Sequence, residues 1–219
     1  MKISAPVLLV SLTLLSHSPA ATVVIDNMTP GTQGFAASLS GPAAEVFPFD
    51  PFPDRQVAFS FISGPGAVAL SQLTFIIFLG DVYLSPIEAT LSTGSAVPGG
   101  VAALSLGTVT PAAAPAGQVL SISPAVPIPL APSTEYWVHF TVPAGAGLYS
   151  ILNNNNPVLS SGFSLGNTWY YDPDSSWTDI TSGPQARVRL SVEAVPEPGV
   201  ALLGMLAGLA VLCRRSRVN

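Results

Sequence analysis

The chain has 219 residues, 48% of them hydrophobic and only 9% charged, with 22 prolines and 19 glycines. Soluble domains carry about a quarter charged residues, so this is neither a solvating tail nor a polyelectrolyte; its Pro plus Gly content opposes long helices yet stays under the ~25–30% of low-complexity disorder. Between residues 21 and 195, three arginines minus eleven carboxylates leave a net charge of −8, with no lysine. Phosphate binding needs clustered Lys and Arg, so nucleic acid and anionic lipid are excluded as partners of this region.

Residues 1–21 read MKISAPVLLVSLTLLSHSPAA. Lys2 gives a positive start, residues 7–15 form an apolar stretch broken only by Ser11 and Thr13, and Ser18-Pro19-Ala20 supplies small residues at a cleavage site. The pattern predicts a signal peptide over 1–20, cut by signal peptidase between Ala20 and Ala21; its apolar run is too short to span a membrane.

Period-two alternation then recurs through the body, 21–194. Strands are expected at 57–61, 73–79, 87–92, 101–109 and 118–122, all rich in β-branched or aromatic residues. At 135–142, Tyr136, Val138, Phe140 and Val142 oppose Glu135, Trp137, His139 and Thr141; at 186–194, Val188, Leu190 and Val192 oppose Arg187, Arg189, Ser191 and Glu193. Both read as half-buried strands of an antiparallel sheet. Turn chemistry at Ser63-Gly64-Pro65-Gly66, Gly80-Asp81, Pro98-Gly99-Gly100 and Ala116-Gly117 separates the strands. No sustained 3.6-residue period occurs. The expectation is an all-β body forming a single antiparallel β-sandwich of jelly-roll type. The only cysteine, Cys213, lies beyond the body, which therefore has no intrachain disulfide and is long enough to bury a core without one.

Candidate chemistry gathers late in the body. Gly162-Phe163-Ser164-Leu165-Gly166 matches the G-x-S-x-G elbow of serine hydrolases. That elbow needs a helix after it and a histidine later in the chain. Here Asn167-Thr168-Trp169-Tyr170 follows, and the only body histidine, His139, lies upstream. Ser164 is read as a strand residue between two turn glycines, no catalytic residue is assigned, and the protein is not expected to be an enzyme.

His139 is a lone imidazole on the more polar strand face, read as a surface or edge residue. Glu135 is about 13 Å along the strand, too far to share an ion. Asp172-Pro173-Asp174-Ser175-Ser176 opens like a calcium loop, but Trp177 and Gly183 stand where Gly and Glu belong. A looser calcium site through Asp172, Asp174 and Asp179 is the alternative to a plain Asx-turn loop; otherwise no metal or cofactor is expected.

Trp169, Tyr170, Tyr171 and Trp177 fall within nine residues, with Trp137 as a possible neighbour. Sugars stack on aromatic walls while a few polar anchors hold their hydroxyls. Trp169 and Tyr171 share one strand face and Tyr170 the other, and half of the group is needed for the core. The candidate ligand-binding residues are Trp169, Tyr171, Trp177, Asp172 and Asp174. The run 153–156 before Pro157 is read as a loop.

The last segment, 195–219, reads VPEPGVALLGMLAGLAVLCRRSRVN. A Pro-Glu-Pro linker precedes an apolar run at 199–213 and a cluster of Arg214, Arg215 and Arg217. As a helix the run rises about 22 Å, short of a ~30 Å hydrocarbon core. Gly204 and Gly208 permit close helix packing, and the arginines hold their end in the cytoplasm.

This three-part tail resembles the PEP-CTERM sorting signal of Gram-negative bacteria that make exopolysaccharide, through Pro196, Glu197, Pro198, the short hydrophobic helix, Arg214 and Arg215. The resemblance implies that an exosortase, a membrane cysteine protease-transpeptidase, recognises the motif and releases or transfers the body; the alternative is a plain C-terminal membrane anchor. In the body, Leu73-Thr74-Phe75, Pro98-Gly99 and the stretch from Leu130-Ala131-Pro132 to Tyr136-Trp137 are similar to the choice-of-anchor R domain of bacterial surface proteins, over roughly 55–192. That likeness implies placement and no activity. Asn27-Met28-Thr29 fits a glycosylation sequon, a chance match in an exported bacterial protein.

The expected function is that of an exported, non-enzymatic protein. It passes transiently through the inner membrane to the cell surface or extracellular matrix, associated with exopolysaccharide or biofilm. The alternative is a carbohydrate-binding module using the 169–177 segment.

Overall fold

The computed structural model describes residues 20–29, 37–42, 54–79, 84–94, 98, 103–113, 117–144, 148–154, 157–172, 176–179 and 185–195. The residues 1–19, Gly80-Asp81, Asp174 and 196–219 lie outside that set, and with them most of the signal peptide, one turn, one candidate ligand and the sorting tail. Among the described residues there are strands and no helix. In chain order they are β1 (Thr22–Asp26), β2 (Ala37–Ser40), β3 (Gln56–Ile62), β4 (Val68–Leu79), β5 (Ile87–Thr93), β6 (Leu104–Val109), β7 (Gly117–Ile122) and β8 (Ile128–Leu130). There follow β9 (Glu135–Thr141), β10 (Leu148–Ile151), β11 (Asn153–Asn154), β12 (Val158–Leu159), β13 (Ser164–Asp172), β14 (Ser176–Asp179), β15 (Gln185–Ala186) and β16 (Val188–Ala194).

All pairings are antiparallel. The larger sheet runs β12-β1-β16-β4-β10-β2, with β7 and β8 also on β4; the smaller runs β14-β13-β3-β9-β5-β6; β11 and β15 form a separate pair. The sheets curl about a common core as a half-barrel. Every expected strand is present. Alternation fills the core from both sheets: Val57, Phe59 and Phe61 from β3, Tyr136, Val138 and Phe140 from β9, Leu73, Phe75 and Ile77 from β4, Val188 and Leu190 from β16. Phe75 and Phe140 join the two sheets, ring centroids 4.7 Å apart, and Phe140 also meets Phe59 at 6.0 Å. Each fully buried side chain of this size stabilises the fold by about 1.5–3 kcal/mol over its exposed state.

β4 is the spine. β16 and β10 share one of its edges, because β7 faces both stretches from the other. That shared edge forks at Ile76. Its N–H donates to the Arg187 carbonyl (3.3 Å), its carbonyl accepts from Leu152 N–H (3.1 Å), and Arg187 N–H closes the triangle on the Leu152 carbonyl (2.7 Å). Beyond the fork β11 and β15 leave the sheet and pair with each other, Asn153 opposite Ala186 and Asn154 opposite Gln185.

Asn27 caps this fork. Fully buried, its Nδ2 donates to the carbonyls of Ala186 (2.8 Å), Asn154 (3.1 Å) and Gln185 (3.2 Å). The sequon nitrogen is thus enclosed by the fold. Asn154 Nδ2 donates in return to the carbonyls of Thr29 (2.7 Å) and Asn27 (3.5 Å), and Arg187 to Met28 (2.8 Å). The loop expected at 153–156 is therefore corrected at its start: Asn153 and Asn154 are buried strand residues.

A second correction concerns β9, which is buried on both faces rather than one. Its outward Trp137 and His139 are covered by rings from β13 and β14.

Candidate functional site

The outer face of the smaller sheet is built around β3. Val57, Phe59 and Phe61 enter the core, so Gln56, Ala58, Ser60 and Ile62 point outward. Ala58 and Ser60 are small, and they form a trough along the middle of the face. Register sets bulky residues on its flanks: His139 and Trp169 both stand opposite Ala58, and Trp137 opposite Ser60. Rings from both sides lean in over the trough. Trp137 and Trp169 meet edge to face, centroids 5.8 Å apart at 89°. From β14, Trp177 packs on its cross-strand partner Tyr171 (5.4 Å, 51°) and edge-on against His139 (5.6 Å, 85°). Such aromatic pairs add about 0.5–1.5 kcal/mol beyond area burial.

Trp137, at 2% exposure, is the floor of this cluster; Trp169, Tyr171 and Trp177 are half-buried and form its outer wall. Tyr170 turns the other way and packs on the core, as alternation requires.

A bulge between Leu165 and Thr168 keeps both ends of β13 in register with β3. Gly166 lies within it. A Cβ at this position would run into Ser60 Oγ and lie 3.2 Å from the Ser60 carbonyl, so only glycine lets β13 approach so closely. Gly166 is thus a strand glycine, contrary to its reading as a turn residue, whereas Gly162, with φ of +83°, does turn the chain.

His139 is not the surface residue its sequence context suggested: it is 8% exposed. Its Nε2 lies 3.1 Å from Ser92 Oγ. Burial holds the imidazole below the usual histidine range, so it is uncharged at neutral pH. Ser164 opens β13 opposite Ile62, which pairs with Glu135. That row is four residues, about 13 Å, from the His139 row.

Three carboxylates border the face. Asp179 stands across from Trp169, with Oδ2 accepting from Asn167 Nδ2 (3.3 Å) and Oδ1 shielded from solvent without a partner. Glu88 is half-buried on β5 and Glu135 exposed at the start of β9. Of the other acidic candidates, Asp172 has its backbone paired with Ser176, and Asp174 lies outside the described residues. Among the described residues no three His, Cys, Asp or Glu side chains come together to hold a metal.

The structure therefore brings Trp169, Tyr171 and Trp177 together and adds Trp137, His139 and Asp179. Ala58 and Ser60, which make room for the rings, escaped the sequence reading. Their signal was the pair of small residues at alternate positions of an otherwise bulky strand.

Scans of the chain against protein-family models, curated proteins and solved structures each returned no match.

Proposed function

We propose that this is an exported, non-enzymatic protein of the cell surface or extracellular matrix, associated with exopolysaccharide or biofilm. It reaches that place by signal peptidase cleavage after Ala20 and by sorting through an exosortase-type system. The observation that carries the placement is the ordered tail of Pro196-Glu197-Pro198, a 199–213 apolar run and Arg214-Arg215. The body, 21–194, is one two-sheet sandwich of jelly-roll type, a reading supported by the Phe75–Phe140 contact between sheets. The distance between the Ser164 and His139 rows supports the non-enzymatic reading.

Intact mass of the mature protein, from hosts with and without the sorting protease, tests the placement. A C-terminus at 196–198 only where the protease is present supports it. A chain still ending at Asn219 in both hosts would leave a plain membrane anchor and remove the matrix reading.

A second reading, carbohydrate binding, is favoured by one observation: Trp169, Tyr171 and Trp177 form a half-buried wall on a single sheet face with a carboxylate beside it. Glycan-array binding that Trp169→Ala leaves unchanged would sink it.

A further inference from the structure

We propose that the aromatic face binds a polymer of amino sugars bearing free ammonium groups, with Asp179 as the anchor for the cation. The inference rests on the carbohydrate reading and narrows it to one chemical class. Stacking alone does not choose among sugars, because most pyranoses can lay a C–H face on an indole or phenol ring. Charge does choose. Among the described residues, the outward positions of this sheet hold Glu88, Glu135 and Asp179, and neither lysine nor arginine. The body as a whole carries −8, with no lysine, and attracts polycations at long range.

Asp179 gives the anchor its position. It lies directly across from Trp169 and one strand position pair away from Trp177. Oδ2 is held by Asn167, while Oδ1 is out of water and lacks a donor. Oδ1 has no open surface, so it is the Oδ2 edge, where the Asn167 bond is exposed, that meets an incoming charged N–H, and a carboxylate bonds such a donor about twice as strongly as a neutral one. The same ammonium, held over the ring faces of Trp169 or Trp177, is attracted by their π-electrons. A polyuronate would set carboxylate against carboxylate, and a neutral glucan would leave Asp179 without its cation.

The test uses the full-length chain in detergent and measures binding to a glucosamine polymer, its fully N-acetylated counterpart, a neutral glucan and a polyuronate. The expected result is preferential binding of the glucosamine polymer, weakened about tenfold by N-acetylation and reduced towards 1 M salt, where charges are screened within ~3 Å. Asp179→Asn, which preserves shape, is expected to reduce binding of the glucosamine polymer by a similar factor and to leave the N-acetylated polymer unaffected. Equal binding of the acetylated or neutral polymers, or tighter binding of the polyuronate, overturns the ammonium assignment and leaves the carbohydrate reading in place. Binding to none of the four overturns both. If Asp179→Asn loses its strand signal by circular dichroism, the ranking of the four polymers on the unaltered chain decides by itself.

Discussion

Asn27 and Asn154, 127 residues apart, hold each other's backbone: the Asn27 amide donates to the Asn154 carbonyl at 3.1 Å, and the Asn154 amide to the Asn27 carbonyl at 3.5 Å. The pair locks the N-terminal strand to the fork where β11 and β15 leave the sheet. Asn27→Ala removes a donor from three carbonyls and is expected to cost about 1–3 kcal/mol. Asn27→Asp turns the same position into an acceptor facing those carbonyls and buries a charge, so it should cost more, on the order of 3–5 kcal/mol. Urea midpoints of the two variants check the order; an aspartate variant as stable as the alanine one would refute the account.

Tyr149 offers a cleaner deletion. Its ring is fully buried, and its hydroxyl both accepts from the Ser85 N–H and donates to the Ser85 carbonyl, each at 2.7 Å. Burial raises the phenol pKa, with the Ser85 N–H pulling the other way. Tyr149→Phe keeps the packing and strips both bonds, for an expected loss of about 1–3 kcal/mol by chemical denaturation.

His139 predicts a pH dependence. Its folded pKa lies below the ordinary 6.5 because burial disfavours the imidazolium. Above 6.5 both folded and unfolded forms are neutral and stability is at its full value. As pH falls below 6.5 the unfolded imidazole takes up a proton that the folded one resists, and stability drops until the folded pKa is passed. Melting temperatures between pH 7.5 and 5 should therefore fall more steeply for the native chain than for His139→Gln. Parallel profiles would show that His139 contributes nothing.

Gly166→Ala places a methyl group against Ser60. Overpacking of this kind typically costs about 1–3 kcal/mol, and here it would also push Trp169 away from Trp137. The expected readout is a weaker near-ultraviolet tryptophan signal together with a lower melting temperature. Adding Ser60→Ala removes the hydroxyl in the way and should restore part of both.

The strands whose residues alternate strictly were legible: β9 and β16 begin within two residues of their expected starts. β4 was seen only from Leu73 onward. Its first residues break the period, because the register slips between Leu70 and Gln72 so that Leu70 and Leu73 both face inward. Asn153 and Asn154 look like a loop in any local window; what holds them in the fold is β15, later in the chain, and Asn27, 127 residues before Asn154. The aromatic site was half legible for the same reason. Alternation put Trp169 and Tyr171 on one face, but the cover over His139 depends on β13, β3 and β9 lying side by side, which only the assembled sheet specifies.

Thr22 pairs with Val192, and Arg189 reaches Asp26 across 163 residues of chain. A domain whose first strand must wait for its last has high contact order and cannot complete its sheet until the whole body is available. On the proposed export route it would complete only after the whole body has been translocated. The same pairing brings the start of β1 and the end of β16 out at one pole of the domain. Among the described residues the last backbone bond, from the Val195 N–H to the Ala67 carbonyl, closes just before the Pro-Glu-Pro of the proposed sorting signal. A cut at that motif would leave β1 to β16 intact in the freed domain.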